Sequence, residues 1–370
     1  MKTVIETFFL STVLLLISST QVYSQKVETI DGVRYIQNSA KGKWGNNPRV
    51  SIKHSGTLGQ LDGDENYMFY KPADIAADGE GNIYVLDAGN HRVQKFNKDH
   101  KYLQTIGREG QGPGELSRPL YLDLDKDGNI YVSDISNARI QVFSPDGNNL
   151  KTISVVPKTL IFRLLNNGQI LLRNPYVNMP DVELQRGKTA ADSDNRLPLF
   201  KIMDRNTKII SKFGNGVIFT KFPFTGGGNR FLFSIDDDEN IYAIFLFQNR
   251  LEKYSPDGKL LFKAERYINP EKSIDKKLKM YTTLARGIDI DSKGRIWVLA
   301  VKNKPVLPPR GSTTPPKDYY ELEVFSNDGI LLYKYPLSVF WDGLRIIDDR
   351  LYILDKDHNM QYNVFEIIEK

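Results

Sequence analysis

The chain has 370 residues, 40% of them apolar and 26% charged, with a formal net charge of +5. This is an ordinary globular composition with length for a large core, and so mild a positive balance does not by itself call for nucleic acid or an acidic membrane surface. Cysteine is absent, which excludes any disulfide and any lipid attached through a cysteine.

The N-terminus differs from the rest. Lys2 precedes an apolar run from Phe8 to Ile17, and a polar stretch then ends in Val22-Tyr23-Ser24-Gln25. This pattern predicts a secretory signal cut near Ser24. The run is too short for the roughly 20 apolar residues that a bilayer needs. The expected organisation is a signal peptide over residues 1–24 and a single domain over 25–370. An exported protein of this size without disulfides suits a bacterial periplasm or exterior, where a large core makes staples unnecessary. No later segment is apolar for long enough to span a membrane.

Strand signals dominate from there on. Short runs rich in Ile, Val, Tyr and Phe are punctuated by Asp-Gly, Asn-Gly and Ser-Pro-Asp-Gly. Helical periodicity appears once, weakly, over Pro270–Leu284.

The clearest signal is a repeat. Residues 78–96 (DGEGNIYVLDAGNHRVQKF) return 47 positions later as residues 125–143 (DKDGNIYVSDISNARIQVF), with 11 identities and one Val/Ile exchange over 19 positions. Weaker copies start at Asn167, Asp238, Lys293 and Asp349, making six units. Each unit reads as four strands; in the first they are expected at Ala73–Ala77, Asn82–Asp87, Arg92–Asn97 and Tyr102–Ile106. The second of these, Ile83-Tyr84-Val85-Leu86, is apolar on both sides. A strand with one solvated face should alternate, so these sheets must stack face to face. Repeated four-stranded units buried on both faces describe an all-β, six-bladed β-propeller.

The last unit ends after three strands, near Leu344–Ile347, Leu351–Leu354 and Asn363–Ile368. A strand with the missing pattern, Pro48–Lys53 followed by Leu58-Gly59, lies at the start. It is expected to complete the last blade and close the ring, leaving few free edges.

The skeleton D-x-x-G-N-I-Y-V-x-D-x-x-N-x-R-[VI]-Q-x-F resembles the NHL repeat, and Asn90-His91-Arg92 begins the motif that named it. Gly112–Pro119 resembles the G-x-G-x-F-x-x-P lead-in of such repeats. The resemblance is strong over 72–153 and weaker over 160–368. As a whole the chain is similar to exported six-bladed propeller proteins of Bacteroidetes-type bacteria, most of which have no assigned chemistry. Some intracellular NHL propellers bind RNA on a basic face; export points away from that here.

In a four-stranded meander, the first-to-second and third-to-fourth turns share one face, and these are short throughout. The long segments (57–71, 107–118, 174–198, 214–229, 266–284 and 302–318) all belong to the connections of the other, upper face. Long loops on a rigid scaffold are where binding usually resides.

Several residue sets are candidates for chemistry. Asp87, Asn90 and Arg92, with Asp134, Asn137 and Arg139, are the most regular polar set. They could form a ligand platform, but repetition at equivalent positions favours side chains that fasten a tight turn. The residue entering the innermost strand is basic in five blades, namely Lys71, Arg118, Lys158, Arg230 and Arg286, with Asp342 in the sixth. This suggests a cationic collar for an anionic ligand such as a uronate, a sulfated glycan or a phosphate; the alternative is pairing with nearby carboxylates. Of the four histidines, His54 is expected on or beside an outer strand and His100 in a lower turn. Only His91 and His358 reach the upper face. Zinc catalysis usually wants three protein ligands, and the propeller lyases that resemble this family use several histidines, a set this chain does not assemble. Calcium-dependent propeller lactonases hold their ion in the channel, and Asp74, Asp123 and Asp289 could serve in that way. Asp236-Asp237-Asp238 reads as a solvated turn, Gly226-Gly227-Gly228 as a flexible loop, and Asn303–Pro316 as a proline-rich flap, docking segment or disordered insertion. No serine nucleophile elbow and no phosphate-cradling glycine loop is present.

The leading expectation is a monomeric binding module at the cell envelope, for a protein, a glycan or a small anion, with no nucleic acid. The alternative is a hydrolase, lactonase or lyase, with calcium as its cofactor, acting at the channel.

Overall fold

The structure, a computed structural model, describes residues 25–154, 161–174, 198–216, 228–268, 274–275, 280–281, 283–302, 320–337 and 341–370. Its core is six four-stranded antiparallel sheets. The first blade contains Asp74–Ala77, Ile83–Asp87, Arg92–Phe96 and Tyr102–Ile106, each within a residue of its expected bounds. The first strands of the other blades are Pro119–Leu124, Phe162–Leu164, Phe231–Ile235, Ala285–Ile290 and Gly343–Ile347. These first strands pack beside one another, and that of the sixth blade returns to that of the first. They therefore surround the axis of a six-bladed propeller.

The both-sided apolar pattern has a direct cause. In Ile83–Asp87, Ile83 and Val85 point to the interface with the sixth blade, where they meet Leu58, Tyr352 and Tyr362. Tyr84 and Leu86 point to the second blade, where they meet Leu122, Ile130 and Val132. Alternate side chains on one strand thus fill two different cores, and buried clusters of this kind occupy all six blade interfaces.

The repeated turn residues have local work. Asp78 accepts hydrogen bonds from Glu80 N, Asn82 N, Asn82 Nδ2 and, at 2.9 Å, Tyr84 Oη. In the fourth blade Asp236 accepts from Asn240 and Tyr242 in the same way. In the fifth, Asp291 holds Arg295 and the indole N–H of Trp297. In these three turns the Asp therefore fixes the aromatic residue six positions on. Asp236 anchors such a turn, and Asp237 and Asp238 are its central residues, closed by the Glu239 N to Asp236 O hydrogen bond.

The last blade closes as expected. Val50–Leu58 pairs antiparallel with Gln361–Glu369 from Val50 opposite Glu369 to Leu58 opposite Tyr362. A further element precedes this strand. Lys26–Ile30 and Val33–Gln37 form a hairpin around Asp31-Gly32, both at positive φ (51° and 76°). Its second strand runs parallel to Leu260–Glu265, so the hairpin extends the fourth blade to six strands. The chain then crosses the fifth blade. Asn38, 3% exposed, donates to Gly329 O and accepts from Leu331 N, and Lys43 N and Trp44 N bond to the carbonyls of Leu331 and Leu332. The N-terminal segment is thus a strap over the rims of three blades.

One expectation is corrected. Within Pro270–Leu284 the described residues form a two-residue antiparallel ladder, Ile274–Asp275 with Met280–Tyr281, and no helix. A weak 3.6-residue period without caps does not overcome strand pairing. Residues 1–24, Lys158, Gly226-Gly227 and Asn303–Pro316 lie outside the described residues. Among the described residues no helix is long and apolar enough to cross a membrane.

Candidate functional site

The upper face begins with two bolts. Asp87 and Asp134, both fully buried, sit at the upper ends of the second strands. Asp87 accepts from Tyr70 N, Asn90 Nδ2 and Arg92 Nε at 2.7–2.8 Å. Asp134 accepts from Ser117 N, Asn137 Nδ2 and Arg139 Nε at the same distances. Each arginine continues to loop carbonyls: Arg92 to Glu65 and Met68, Arg139 to Gln111, Gly112 and Glu115. The set therefore clamps the loop entering each blade onto the turn within it, and its groups are engaged with one another.

Along the axis, strand register defines a ring. Ala76, Asp123, Arg163, Ser234, Asp289 and Arg345 are each paired with the residue equivalent to Tyr84 in their own blade. Four of these side chains, Asp123, Ser234, Asp289 and Arg345, staple one blade to another. Asp123 accepts from Leu164 N at 2.8 Å. Asp289 accepts from Ile346 N at 2.8 Å and from Ser234 Oγ. Asp74, one step nearer the upper face, accepts from Leu122 N at 3.3 Å and takes both contacts of Arg345 at 2.9 and 3.1 Å. Burial pushes Asp123 and Asp289 up to about 7 against the pull of these N–H and hydroxyl donors.

Above the ring lies a cavity of about 150 Å³ whose polar lining is Asp74, Arg163, Arg286, Asp342 and Arg345, with Tyr121 and Tyr362. Arg163 is 6% exposed. Its Nη1 donates to its neighbour's carbonyl, Phe162 O, and lies 4.0 Å from Asp74. Arg286 lies 3.7 Å from Asp342. Burial raises the Asp342 carboxyl, against the Lys356 N–H and Arg286. Among the described residues, Arg286 Nε and Tyr362 Oη have no hydrogen-bond partner.

The expected site residues separate into three groups. Lys71 and Arg118 occupy equivalent left-handed positions (φ 49° and 52°) and are exposed, as is Arg230; Lys71 reaches over the Tyr70 ring at 5.3 Å. Arg286 sits lower, within the cavity, paired with Asp342. His91 accepts from Arg118 N through Nδ1 at 3.2 Å, and its Nε2 is 3.8 Å from Glu109. His358 Nδ1 lies 3.4 Å from Asp355, so each upper-face histidine is tied to its own surroundings. His54 lies in the outer strand against Phe365, and His100 bonds to Tyr352 Oη at 3.0 Å. Asp74, Asp123 and Asp289 do reach the channel, but as blade-to-blade staples. Among the described residues no group of three or more His, Asp or Glu is arranged to hold a metal. Sequence reading did not single out Arg163, Arg345, Tyr121 or Tyr362. The inner-strand register that carries Asp123 and Asp289 also carries Arg163 and Arg345, and aligning all six first strands would have found them.

A closed ring of six antiparallel four-stranded blades around a polar channel defines the class: a six-bladed β-propeller. Within it, residues 69–96 match the NHL repeat family. No curated protein matches the chain. Among solved structures, it is similar to a protein of Bacteroides fragilis named as exported (TM-score 0.60, 14% identity, covering 91% of this chain and 99% of that one). It is also similar to a member of the DUF4221 family from Bacteroides vulgatus (0.58, 14%, 87% and 99%) and to virginiamycin B lyase from Staphylococcus aureus (0.51, 11%, 86% and 100%). At these identities the likeness is one of fold.

Proposed function

We propose that this protein is an exported binding module that takes an anionic ligand, such as an acidic glycan, at the upper face and channel mouth, or docks an envelope protein there. The carrying observation is that Arg163, Arg286 and Arg345 line the channel cavity, while Arg118 and Arg230 are exposed where the chain enters the first strands of the second and fourth blades. The strands flanking residues 155–160, 175–197, 217–227 and 303–319 all end on the same face, so the chain's length variation is concentrated around this mouth. The reading includes removal of residues 1–24 as a signal peptide, a single propeller domain over 25–370, a periplasmic or secreted location, and a monomer. The neighbour from Bacteroides fragilis named as exported supports the location.

The alternative is a calcium-dependent hydrolase, lactonase or lyase acting in the channel. It has less support, because the carboxylates it would use already accept backbone N–H groups, Ser234 and Arg345. The test is an array of uronate-containing, sulfated and neutral glycans probed with the wild type and an Arg118→Glu/Arg230→Glu variant, beside elemental analysis of the purified protein. Acidic-glycan binding that the variant loses supports the module. Stoichiometric calcium with no glycan binding supports the enzyme.

A further inference from the structure

One of two equivalent glycines, Gly343, gives the channel cavity its shape. Gly287 and Gly343 pair with Leu299 and Leu354 as Asp74 pairs with Leu86. At this level the first blade carries Asp74 and the fourth carries Leu232, opposite Ile244. The sixth blade carries no side chain there, and in the fifth the place of one is taken by Leu344, whose Cβ and N would stand 2.7 and 2.9 Å from a Cβ on Gly287. The cavity consequently extends off the axis as far as Leu354 and Tyr362, on the second and third strands of the sixth blade. Tyr362 lines this space and is 2% exposed; its hydroxyl is fully buried and has no partner among the described residues. An orphan hydroxyl at such depth is costly to leave unmade.

Asp123 and Asp289 of the ring below are turned to Leu164 N, Ile346 N and Ser234 and do not line the cavity; the charges that line it do not balance. Arg163, Arg286 and Arg345 face Asp74 and Asp342, three cations against two carboxylates. Arg345 is fully engaged by Asp74. Arg163 is the surplus cation, more than nine-tenths buried, with one backbone acceptor and Asp74 only at 4.0 Å. The rest of the wall is apolar, from Ile161, Leu232, Phe233 and Leu344.

We infer that this cavity binds one small monocarboxylate, with the carboxylate on Arg163 and Arg286. The assignment rests on the upper-face binding reading and names the anion that reaches the channel. Three features fix the class. A guanidinium matches a planar carboxylate in two-point contact. One surplus positive charge suits a monoanion, whereas a dianionic phosphate or sulfate would face Asp74 and Asp342 uncompensated. The volume of about 150 Å³ equals about five waters at ~30 Å³ each, room for an acid of roughly two to four carbons and too little for a sugar chain.

The test is calorimetric titration of the intact mature protein with acetate, lactate, sulfate and phosphate. Two variants accompany it. Arg163→Gln removes the surplus charge. Gly343→Ala narrows the cavity without strain, because the added Cβ meets Leu354 at 3.7 Å, an ordinary contact. Lactate is expected to bind with a Kd on the order of 1 mM or tighter, to raise the melting temperature in step, and to bind about tenfold or more weakly to Arg163→Gln. Gly343→Ala is expected to melt like the wild type and bind lactate less well. The inference is overturned if no carboxylate binds, if sulfate or phosphate binds as well as lactate, or if Gly343→Ala binds lactate like the wild type. Loss of carboxylate binding with acidic-glycan binding intact would remove this cavity and leave the wider reading standing. Arg163-dependent lactate binding that ignores charge reversal at Arg118 and Arg230 would keep the cavity and remove the collar.

Discussion

Arg345 and Asp74 lie 271 positions apart in the chain and meet in a two-point ion pair at 2.9 and 3.1 Å inside the channel. Their strands are the innermost of the sixth and first blades, so the pair closes the ring at its axis as Val50–Leu58 closes it at its rim. Removing one partner of a buried pair strands the other charge. Arg345→Met is therefore expected to lower the unfolding free energy by about 3 kcal/mol, and Asp74→Leu/Arg345→Met to recover most of that loss. Urea denaturation of the two variants checks this; equal stability of the single variant and the wild type would show that the axial closure contributes nothing.

The staples also set a pH dependence. Asp123 and Asp289 have folded values near 7, raised chiefly by burial from an ordinary 3.8. A raised carboxyl favours folding below its unfolded value and loses that advantage as pH climbs towards the folded one. Between about pH 4 and 7 each should therefore withdraw stability at about 1.4 kcal/mol per unit. Glu323 works the other way. Although burial opposes it, Arg266 and Lys334 hold it below its ordinary 4.5, so its contribution is lost as pH falls below that value. The melting temperature should peak on the acid side, near pH 5, and Asp123→Asn/Asp289→Asn should flatten the fall towards pH 8. A wild-type optimum at pH 8 would contradict both assignments.

The strap over the fifth blade makes a local prediction. Gly42 lies so close to that blade that a Cβ would stand 2.3 Å from Leu332 O, a backbone atom that cannot turn aside. Gly42→Ala should lift the strap, and Asn38→Ala should leave Leu331 N and Gly329 O unpaired, each costing about 1–3 kcal/mol. Limited proteolysis should then cut first between residues 38 and 49. Unchanged cleavage and melting would show the strap to be passively draped.

Asp87 and Asp134 provide an internal control. Both are fully buried, and each is bonded to one loop N–H, one Asn and one Arg. Alanine at either should cost about 3–5 kcal/mol, with the two values alike within about 1 kcal/mol. Widely different costs, read from matched denaturation curves, would mean that the repeat conserves shape without conserving energetics.

What the sequence reveals follows from what repeats in it. The blades were legible because Gly-Asn-Ile-Tyr-Val and Asp-x-x-Asn-x-Arg serve local geometry that every blade needs, so the same residues recur at the same spacing. The rim closure was legible because the sixth unit lacks a strand that Val50–Leu58 can supply. The N-terminal hairpin went unread although Asp31-Gly32 between two short strands is a strong two-residue turn signal, since no repeat unit contains it. The channel was half legible. Its aspartates stood out as possible ion ligands, but their neighbours in the ring, Ala76, Arg163, Ser234 and Arg345, share no chemistry with them. Only register unites the six, and register became reliable once the strands were seen to pair. Tyr362 was the least accessible, because it reaches the channel from a third strand through space left by a glycine on a first strand.

The claim that the upper face binds an anionic ligand is tested most directly by two charge reversals of equal size. Arg118→Glu/Arg230→Glu alters two exposed positions at the upper ends of first strands, whereas Lys98→Glu/Lys126→Glu makes the same change in net charge at exposed turns of the lower face. Titration with an acidic oligosaccharide at fixed ionic strength should show binding lost in the first variant and kept in the second. Equal weakening in both would mean that only net charge matters, and undiminished binding in the first would contradict the upper-face site outright.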